Sequence, residues 1–466
     1  MPKIDTGDRD QTVCIVGLGY VGLTLGVVMA DCGFTIEGVE VRQEVLDMLN
    51  RGQAHFHEPG LTPRLTQMVQ TGRVRLTREL PAQSKATAFI ITVGTPLGED
   101  GRCRLDMIER VAREIAARLK DGDLVILRST VRLGTTRNVV ARILDAAGKD
   151  YDLAFCPERT VEGRALQELR SLPQIVGGLT RRACARAAAL FSHLTPTVVQ
   201  VSSVEAAEMI KLVSNSYRDL TFAFANELAS LCEAGGVSAL EVINAGKLSY
   251  PRTDLPMPGP SGGPCLEKDP HILIESLARF GVRPHLVAAA REINERQPDD
   301  TVRRMRALMD ATPGFPDRPI VALMGVAFKG RPETDDLRGT MALPIFRALQ
   351  ASFPGAMFRC YDKVVRPEAM RAAFDAEVAQ SVDEAMRGAH LAVIANNHSC
   401  FESLPLAELA ATMARPAIIY DYWNNYDARD IAMPDGVRYV ALGDGGQTAD
   451  GSVTVDADRR TTKQRR

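Results

Sequence analysis

The residues with the clearest capacity for chemistry lie in a glycine-rich stretch past the middle of the chain. Cys265 comes shortly after two adjacent glycines, and Lys268 and Asp269 follow it. These polar surroundings argue against burial of the thiol in an apolar core, and a nearby lysine can favour the thiolate. A thiolate can hold an aldehyde as a thiohemiacetal, which can be oxidised again. The alternatives are a packed thiol and, because Pro270 suits the first position of a helix, a plain helix cap at Asp269.

A glycine fingerprint near the N-terminus predicts a dinucleotide site. An apolar run leads into Gly17, Gly19 and Gly22, and a helical pattern follows. These glycines allow a tight turn, a close approach of a pyrophosphate, and close packing of helix and strand. Glu40 ends the next apolar run and would bind an adenosine ribose, which favours NAD over NADP, while Arg42 is close enough to soften that preference. A tight turn without any ligand is the alternative.

Two further polar residues are spaced for joint action. Lys211 and Asn215 are four residues apart in a predicted helix and therefore share one face. A lysine and an amide can together stabilise an oxyanion, whereas the plainer interpretation is a solvated lysine.

The elements that would position these residues alternate in the first and last parts of the chain. Alternating strands and helices predict an α/β fold with two Rossmann-like, doubly wound parallel sheets. The predicted strands are residues 13–16, 34–39, 88–93, 124–127, 320–324, 357–361, 391–395 and 417–420.

The middle of the chain is predicted to be all-helical. One long helix runs from residue 205 to 232, after a capping-box spacing between Ser202 and Glu205, and ends at Gly235 and Gly236. Further helix is expected over residues 240–243 and 272–295. The long helix is apolar around much of its circumference, which is compatible with a dimer interface. Its apolar residues include Met209, Ile210, Leu212, Val213, Leu220, Phe222 and Phe224.

Composition narrows the class of protein. The 466 residues are 45% hydrophobic and carry a net charge of -2, so we expect neither a nucleic-acid nor a membrane partner. The nine cysteines are scattered and odd in number, which favours a reducing cytoplasm over a disulfide framework or a zinc site. The seven histidines are dispersed, so no metal is expected. No secretory leader and no run of about 18 apolar residues is evident.

Taken together, these motifs resemble the nucleotide-sugar 6-dehydrogenase family, which includes UDP-glucose, GDP-mannose and UDP-N-acetylhexosamine dehydrogenases. The resemblance extends from about residue 13 to about residue 425 and keeps many separate motifs in order. They are residues 17–23, 93–96, 129–131 and 156–159, Lys211 with Asn215, and residues 262–269, 327–329 and 334–338.

The resemblance implies three domains. An NAD-binding Rossmann domain would span residues 1–200, and a central helical dimerisation domain with the cysteine loop would span residues 201–312. A UDP-binding domain would span residues 313–442, and residues 443–466 are expected to be a disordered tail. The expected assembly is a homodimer or a higher homo-oligomer.

The resemblance also implies a four-electron oxidation of the sugar at C6 to a uronic acid. Cys265 would be the nucleophile that carries the aldehyde as a thiohemiacetal and then as a thioester. Lys211 and Asn215 would stabilise oxyanions, and Asp269 and Thr130 would organise the path of water or protons.

Further roles follow from the same resemblance. Glu158 would act as a general acid or base, or would position the thioester for hydrolysis. The implied cofactor contacts are Gly17, Gly19, Tyr20, Val21, Gly22, Glu40, Arg42, Thr95, Thr130, Glu162, Lys268 and Arg338. The implied substrate contacts are Glu158, Lys211, Asn215, Arg252, Gly262, Phe328 and Lys329, with Arg252 reaching a neighbouring subunit's sugar nucleotide.

The features that bear on the substrate are mixed. Residues 156–159, 215–219 and 224–227 resemble the UDP-N-acetylhexosamine branch, which has a histidine before the cysteine and no lysine after it. Here Pro264 and Lys268 occupy those places, and the pair of Lys268 and Asp269 is closer to the UDP-glucose branch. We therefore expect a UDP-sugar and favour the N-acetylated ones, with UDP-glucose and GDP-mannose as alternatives.

Two other classes of protein are compatible with parts of the pattern. A two-electron hydroxyacid-type dehydrogenase also joins a Rossmann domain to helices, but it needs neither Cys265 nor a third domain. A non-enzymatic NAD-sensing protein would not need the Lys211, Asn215, Cys265 and Asp269 set.

Overall fold

The computed structural model describes residues 11–427 and 431–444. Two compact units make up the fold: the first comprises Met1–Tyr217 and Cys265–His285, and the second comprises Arg218–Pro264 and Leu286–Arg466. The first unit is therefore discontinuous in sequence. Most of the tail that was predicted to be disordered, from residue 445 onward, lies outside the described residues.

The first unit is built on an eight-stranded sheet. Its strand order is β3-β2-β1-β4-β5-β6-β7-β8, and every neighbouring pair is parallel except β6 with β7. The strands are β1 (Thr12–Val16), β2 (Thr35–Val39), β3 (Val74–Thr77), β4 (Ala88–Ile91), β5 (Asp123–Leu127), β6 (Tyr151–Phe155), β7 (Gln174–Gly178) and β8 (Val198–Val201). The first six follow the doubly wound order in which ligands bind beyond the carboxyl ends of the strands.

Helices follow most of these strands and cover the sheet. The apolar core includes Ile15, Leu25, Ile36 and Ile90, which are buried. The helices are α1 (Tyr20–Asp31), α2 (Gln43–Asn50), α3 (Leu61–Gln70), α4 (Asp106–Ala116), a π-helical segment (Thr136–Ala141), α5 (Arg142–Asp145), α6 (Ala165–Ser171) and α7 (Arg181–Ser192).

The middle of the chain is helical, as predicted. The helices are α8 (Val204–Gly235), α9 (Ala239–Lys247), α10 (Gly263–Leu266), α11 (Asp269–Ala278) and α12 (His285–Asp310). The hydroxyl of Ser203 accepts the amide of Ala206 at 3.1 Å, so the cap of α8 lies one residue later than the predicted spacing implied. No helix among the described residues combines the length and the apolar composition that crossing a membrane requires.

One helical prediction was wrong. Residues 272–295 were expected to form helix throughout, but α11 ends at Ala278 and α12 begins at His285. Gly281 lies between them with φ +70, in the left-handed region that ends helices, and Pro284 precedes the new helix.

The second unit contains a six-stranded parallel sheet with the order β11-β10-β9-β12-β13-β14. Its first strand, β9, sends Val321 and Leu323 into one apolar cluster and Ala322 and Met324 into another, so both faces are covered. The strands are β9 (Ile320–Met324), β10 (Met357–Tyr361), β11 (Glu377–Val378), β12 (Leu391–Ile394), β13 (Ala417–Asp421) and β14 (Val437–Ala441). The helices are α13 (Ala342–Ser352), α14 (Pro367–Ala373), α15 (Val382–Met386), a 3₁₀ turn (Ser399–Phe401) and α16 (Leu406–Ala411). The α/β prediction with two doubly wound sheets is confirmed.

Candidate active site

The glycine fingerprint forms a cradle between β1 and α1. Gly17 has φ +96, and a Cβ on Gly22 would lie 2.0 Å from the carbonyl oxygen of Gly17, so neither position accepts another residue easily. A Cβ on Gly19 would instead meet nothing within 4 Å. This open space at the N-terminus of α1 fits a pyrophosphate, which the helix amides and dipole would attract.

Glu40 and Arg42 stand at the end of β2. Glu40 is buried, and the Nε of Arg42 lies 3.0 Å from its Oε1. Burial alone would raise the pKa of Glu40, but hydrogen bonds from the side chain and backbone of Arg42 outweigh it and lower the pKa. The carboxylate is therefore ionised and oriented at the place where a ribose would be bound.

Helices α8 and α11 bring three predicted catalytic residues together. Lys211 and Asn215 are both buried on α8, and Asp269 is fully buried at the start of α11. The Nδ2 of Asn215 donates to Oδ2 of Asp269 at 2.6 Å. The other oxygen, Oδ1, lies 3.8 Å from the ammonium of Lys268.

Cys265 lies in α10 and is exposed to solvent. Its thiol interacts electrostatically with Lys211, Asp269, Lys268 and Glu162, so these predicted residues belong to one cluster. Desolvation by surrounding protein raises the pKa of the thiol, and the charge of Lys211 lowers it. The pKa of the Cys265 thiol is raised overall, and Lys211 is the main protein group that favours the thiolate.

Glu158 lies after β6 and is held from two sides. Its Oε2 receives the guanidinium of Arg128 at 2.6 Å, and its Oε1 accepts the amides of Arg159 and Thr160 at 2.7 and 2.8 Å. Burial alone would raise the pKa of Glu158, but the charge of Arg128 and these hydrogen bonds lower it. The charge of Lys211 also acts on Glu158, so the carboxylate is part of the same cluster.

Thr95, Thr130 and Lys268 form a linked group. The hydroxyl of Thr95 donates to the carbonyl of Thr130 at 2.6 Å, and the ammonium of Lys268 lies 3.1 Å from that hydroxyl. The loops after β4 and β5 are thereby joined to the residue before α11.

The predicted contacts Tyr20 and Val21 lie at the start of α1, and five others belong to the second unit. Gly263 donates its amide to the carbonyl of Gly339 at 2.7 Å, and a Cβ on Gly262 would lie 2.4 Å from that carbonyl. The ammonium of Lys329 lies 5.3 Å from the ring centre of Phe328. Two predicted arginines have local partners: Arg338 pairs with Asp336, and Arg252 lies over the ring of Tyr250.

Comparison with known families explains this set of residues. Residues 11–195 match the NAD binding domain of the UDP-glucose/GDP-mannose dehydrogenase family. Residues 205–296 match the central domain of that family, and residues 322–428 match its UDP binding domain. The chain belongs to the UDP-glucose/GDP-mannose dehydrogenase family. The resemblance inferred from the motifs is confirmed.

Individual members of the family match over nearly the whole chain. The UDP-N-acetyl-D-mannosamine dehydrogenase of Pyrococcus horikoshii is 32% identical over 93% of this chain and 99% of its own length. A solved structure of UDP-D-ManNAc dehydrogenase from that organism matches with a TM-score of 0.83 at 31% identity, over 93% of this chain and 99% of the solved one. A UDP-glucose dehydrogenase structure from Pyrobaculum islandicum matches with a TM-score of 0.80 at 26% identity, over 95% and 100%.

Membership settles the general activity. The protein is an NAD-dependent nucleotide-sugar dehydrogenase, and its UDP binding domain supports a UDP-sugar as the substrate. The predictions of an NAD-dependent oxidoreductase and of a UDP-sugar dehydrogenase are confirmed. Within the described residues, no group of three or more His, Cys, Asp or Glu side chains is arranged to hold a metal.

Two residues of this dehydrogenase that contact the site were missed by reasoning from the sequence. Arg128 is the first of them, and it was missed because no sequence pattern links it to Glu158. Glu58 is the other: its carboxylate accepts the hydroxyl of Tyr20, and it accepts the amide of Gly163 at 2.7 Å. Glu58 thus ties the fingerprint to the loop that carries Glu162, and the only sequence signal is its place before Pro59 and Gly60.

Proposed function

We propose that this dehydrogenase oxidises a UDP-N-acetylhexosamine at C6 to the uronic acid in two successive two-electron steps, with Cys265 as the nucleophile. The observation that carries the proposal is an exposed thiol clustered with Lys211 and Asp269. A single-step dehydrogenase has no use for that thiol.

Bound NAD would supply a hydride acceptor for each oxidation, so two molecules are consumed per sugar. In the first oxidation the C6 alcohol loses a hydride and its hydroxyl proton and becomes an aldehyde. The Cys265 thiolate then forms a C–S bond to C6, and Lys211 and Asn215 stabilise the oxyanion that results. Loss of a second hydride from this adduct leaves a thioester on Cys265.

Hydrolysis completes the reaction. Water adds to the thioester carbon, the C–S bond breaks, and the thiolate of Cys265 leaves. In sum, one alcohol, one water and two NAD⁺ give one carboxylate, two NADH and three protons. Asp269 suits the orientation of this water, because Oδ2 is held by Asn215 while Oδ1 has no hydrogen-bond partner among the described residues. Glu158, held as a carboxylate by Arg128, fits an electrostatic or basic role and not that of a proton donor.

The N-acetylated substrate is proposed on two grounds. The stretches at residues 156–159, 215–219 and 224–227 resemble that branch of the family, and the Pyrococcus relative is a UDP-N-acetyl-D-mannosamine dehydrogenase. UDP-glucose is the second candidate, because Lys268 pairs with Asp269 here. Measuring NAD reduction with UDP-ManNAc, UDP-GlcNAc, UDP-glucose and GDP-mannose in parallel distinguishes them, and a higher kcat/KM for UDP-glucose would reject the N-acetylated class.

Counting NADH tests the two-step chemistry. With limiting UDP-sugar we expect two NADH per sugar, because the thioester must form before hydrolysis releases the product. Cys265→Ala should abolish the second oxidation. Cys32→Ala, which removes a half-buried thiol of the same unit, should leave the count at two. One NADH per sugar in the unaltered enzyme would reject the proposal.

We further propose that the enzyme is a homodimer that uses α8. Four apolar side chains on this helix are more than 45% exposed, and their spacing of four and seven residues places them on one face. They are Val213, Tyr217, Phe224 and Leu231. Large apolar side chains exposed along one helix face, here called the stripe, are typical of a protein interface. A cytoplasmic location is proposed because all nine cysteines are free thiols, which suits a reducing compartment.

A further inference from the structure

A short segment after β5 contacts both helices that carry the proposed catalytic residues. Residues 132–136, here called the bridging segment, begin two residues after Thr130. They make hydrogen bonds to α8, which holds Lys211 and Asn215, and to α11, which holds Asp269.

The contact with α8 is made by one carboxylate. Glu208 is completely buried, and its Oε1 accepts the amide of Thr136 at 2.8 Å and the Thr136 hydroxyl at 2.6 Å. Its Oε2 accepts the amide of Gly134. These donors lie at the N-terminus of the helical segment that begins at Thr136, where a negative charge is favoured. Burial raises the pKa of Glu208, and the hydrogen bonds from Thr136 and Gly134 act against that rise.

The contact with α11 uses two adjacent side chains. The amide of Leu133 donates to the hydroxyl of Ser276 at 3.1 Å, and the guanidinium of Arg132 lies 2.8 Å from Oε1 of Glu275. The other oxygen of Glu275 accepts the amide of Cys103 at 2.8 Å. The loop after β4 is therefore joined to the same helix.

These anchors lie on the same helix faces as the residues of the site. Glu208 precedes Lys211 by three residues and Asn215 by seven, and Ser276 follows Asp269 by seven. The bridging segment is therefore hydrogen-bonded to both of the helices between which the amide of Asn215 reaches Asp269 at 2.6 Å. A displacement of about 1 Å in such a site can cost on the order of a hundredfold in rate.

We propose that Glu208 is a positioning residue for the oxidation: by holding the bridging segment against α8, it keeps Asn215 on Asp269 and Lys211 beside Cys265. This inference rests on the proposed function, because it assigns Glu208 to the geometry of that reaction. Glu208 itself touches neither Cys265 nor Asp269 through any hydrogen bond of the described residues.

The test is Glu208→Gln. The substitution keeps the size of the side chain but turns one acceptor oxygen into an NH₂ group that faces N–H donors. We expect kcat to fall by at least about tenfold, while KM for NAD and for UDP-sugar changes by less than about threefold. Wild-type kcat in a folded variant would overturn the proposal.

Glu205→Gln is the matched control. Glu205 lies one turn earlier on α8 and also pairs with the segment Thr136–Ala141, through Arg137 at 2.6 Å, but this pair is solvent-exposed. The control should change kcat by less than about twofold, because exposed ion pairs contribute little. An equal loss in both variants would mean a general structural effect and would overturn the proposal.

A second readout does not depend on turnover. The rate of alkylation of Cys265 by iodoacetamide, followed against pH with Cys265→Ala as the blank, reports the pKa of the thiol. In Glu208→Gln we expect this pKa to rise, because Lys211 is displaced from the sulfur. An unchanged alkylation profile would overturn the proposal. One NADH per sugar from the unaltered enzyme would reject the proposed two-step oxidation. The alkylation profile would still report whether Glu208 keeps Lys211 beside Cys265.

Thr136→Val keeps the test decisive if Glu208→Gln does not fold. It removes the hydroxyl donor to Glu208 and preserves the β-branched shape. We expect a smaller loss of kcat than in Glu208→Gln, with an unchanged KM and a higher pKa of the Cys265 thiol. Wild-type values for both would overturn the proposal.

Discussion

The guanidinium of Arg128 is buried and meets three acceptors. It donates to Glu158, to the carbonyl of Cys156 at 3.0 Å and to the side chain of Gln174 at 2.9 Å. Its planar group also lies 5.2 Å from the ring centre of Phe191. A buried charge with this many partners holds Glu158 in one position, and its removal would leave a buried carboxylate without a counterion.

Arg128→Met should therefore destabilise the enzyme. Breaking a buried ion pair from one side costs about 3–5 kcal/mol, and urea denaturation at pH 7 measures the loss. The double variant Arg128→Met with Glu158→Gln should recover part of it, because the unpaired charge is gone. An unchanged urea midpoint in Arg128→Met would contradict the assignment.

The ion pair between Arg128 and Glu158 makes the stability of the enzyme depend on pH. The pKa of Glu158 is below its ordinary value of 4.5 in the folded enzyme. Its stabilising contribution is therefore fully present above pH 4.5 and is lost as the pH falls through the lowered pKa. The stability difference between the enzyme and Arg128→Met should shrink over that acidic range.

Glu40 and Arg42 should control the choice between NAD and NADP. Glu40→Ala removes the ribose acceptor and releases Arg42, which can then meet a 2′-phosphate. We expect the ratio of kcat/KM for NAD to that for NADP to fall by about tenfold or more, since a lost hydrogen bond to a charged group is worth roughly 1.5–3 kcal/mol. Arg42→Ala should instead lower kcat/KM for NADP, because it removes the cation that would meet the 2′-phosphate. An unchanged ratio in both variants would contradict this role.

At the scale of elements, the sequence predicts most of the strands that are buried on both faces, although β6 and β7 are buried and were not predicted. Strands β1, β4, β5, β9 and β12 read as continuous apolar runs because helices cover the sheet on each side. Strand β8 was not predicted although three of its four residues are valines; it is a short edge strand on which Val199 and Gln200 are exposed. Strand β3 is mostly accessible too.

The helical predictions succeeded and failed for local reasons. Helix α8 was predicted because its start has a serine cap and its end has glycines. The break between α11 and α12 was missed because an apolar pattern continues across Phe280 and Val282, which are exposed in the fold. Periodicity alone does not reveal whether an apolar residue is buried.

The residues of the site also differ in whether a local sequence pattern could predict them. The shared face of Lys211 and Asn215 follows from helix geometry and was predictable. The pairs Arg128 with Glu158 and Thr136 with Glu208 join positions 30 and 72 residues apart. Such partners are brought together only by the packing of the sheet and helices, so no local pattern indicates them.

At the scale of the whole molecule, the exposed stripe on α8 predicts an oligomer that charge should disrupt. Leu231 is 62% exposed in the single chain, and Leu231→Glu would place a carboxylate in the proposed interface. We expect light scattering after gel filtration to report a dimer for the enzyme and a monomer for the variant, because burying an unpaired charge is costly.

Met357→Glu is the matched control for that measurement. Met357 is 57% exposed at the start of β10 and lies outside the stripe, so its substitution should leave the mass unchanged. A monomeric unaltered enzyme, or a dimer that survives Leu231→Glu, would contradict an interface on α8.

The discontinuity of the first unit bears on how the polypeptide acquires its shape during synthesis. Residues 265–285 complete that unit, so a nascent chain that has emerged only to residue 217 still lacks Asp269, Glu275 and Ser276. At about 5–20 residues per second, a ribosome needs on the order of ten seconds to add the missing segment. Until then, the partners of Asn215 and Arg132 are absent, and a fragment cut at residue 217 would keep this deficit permanently.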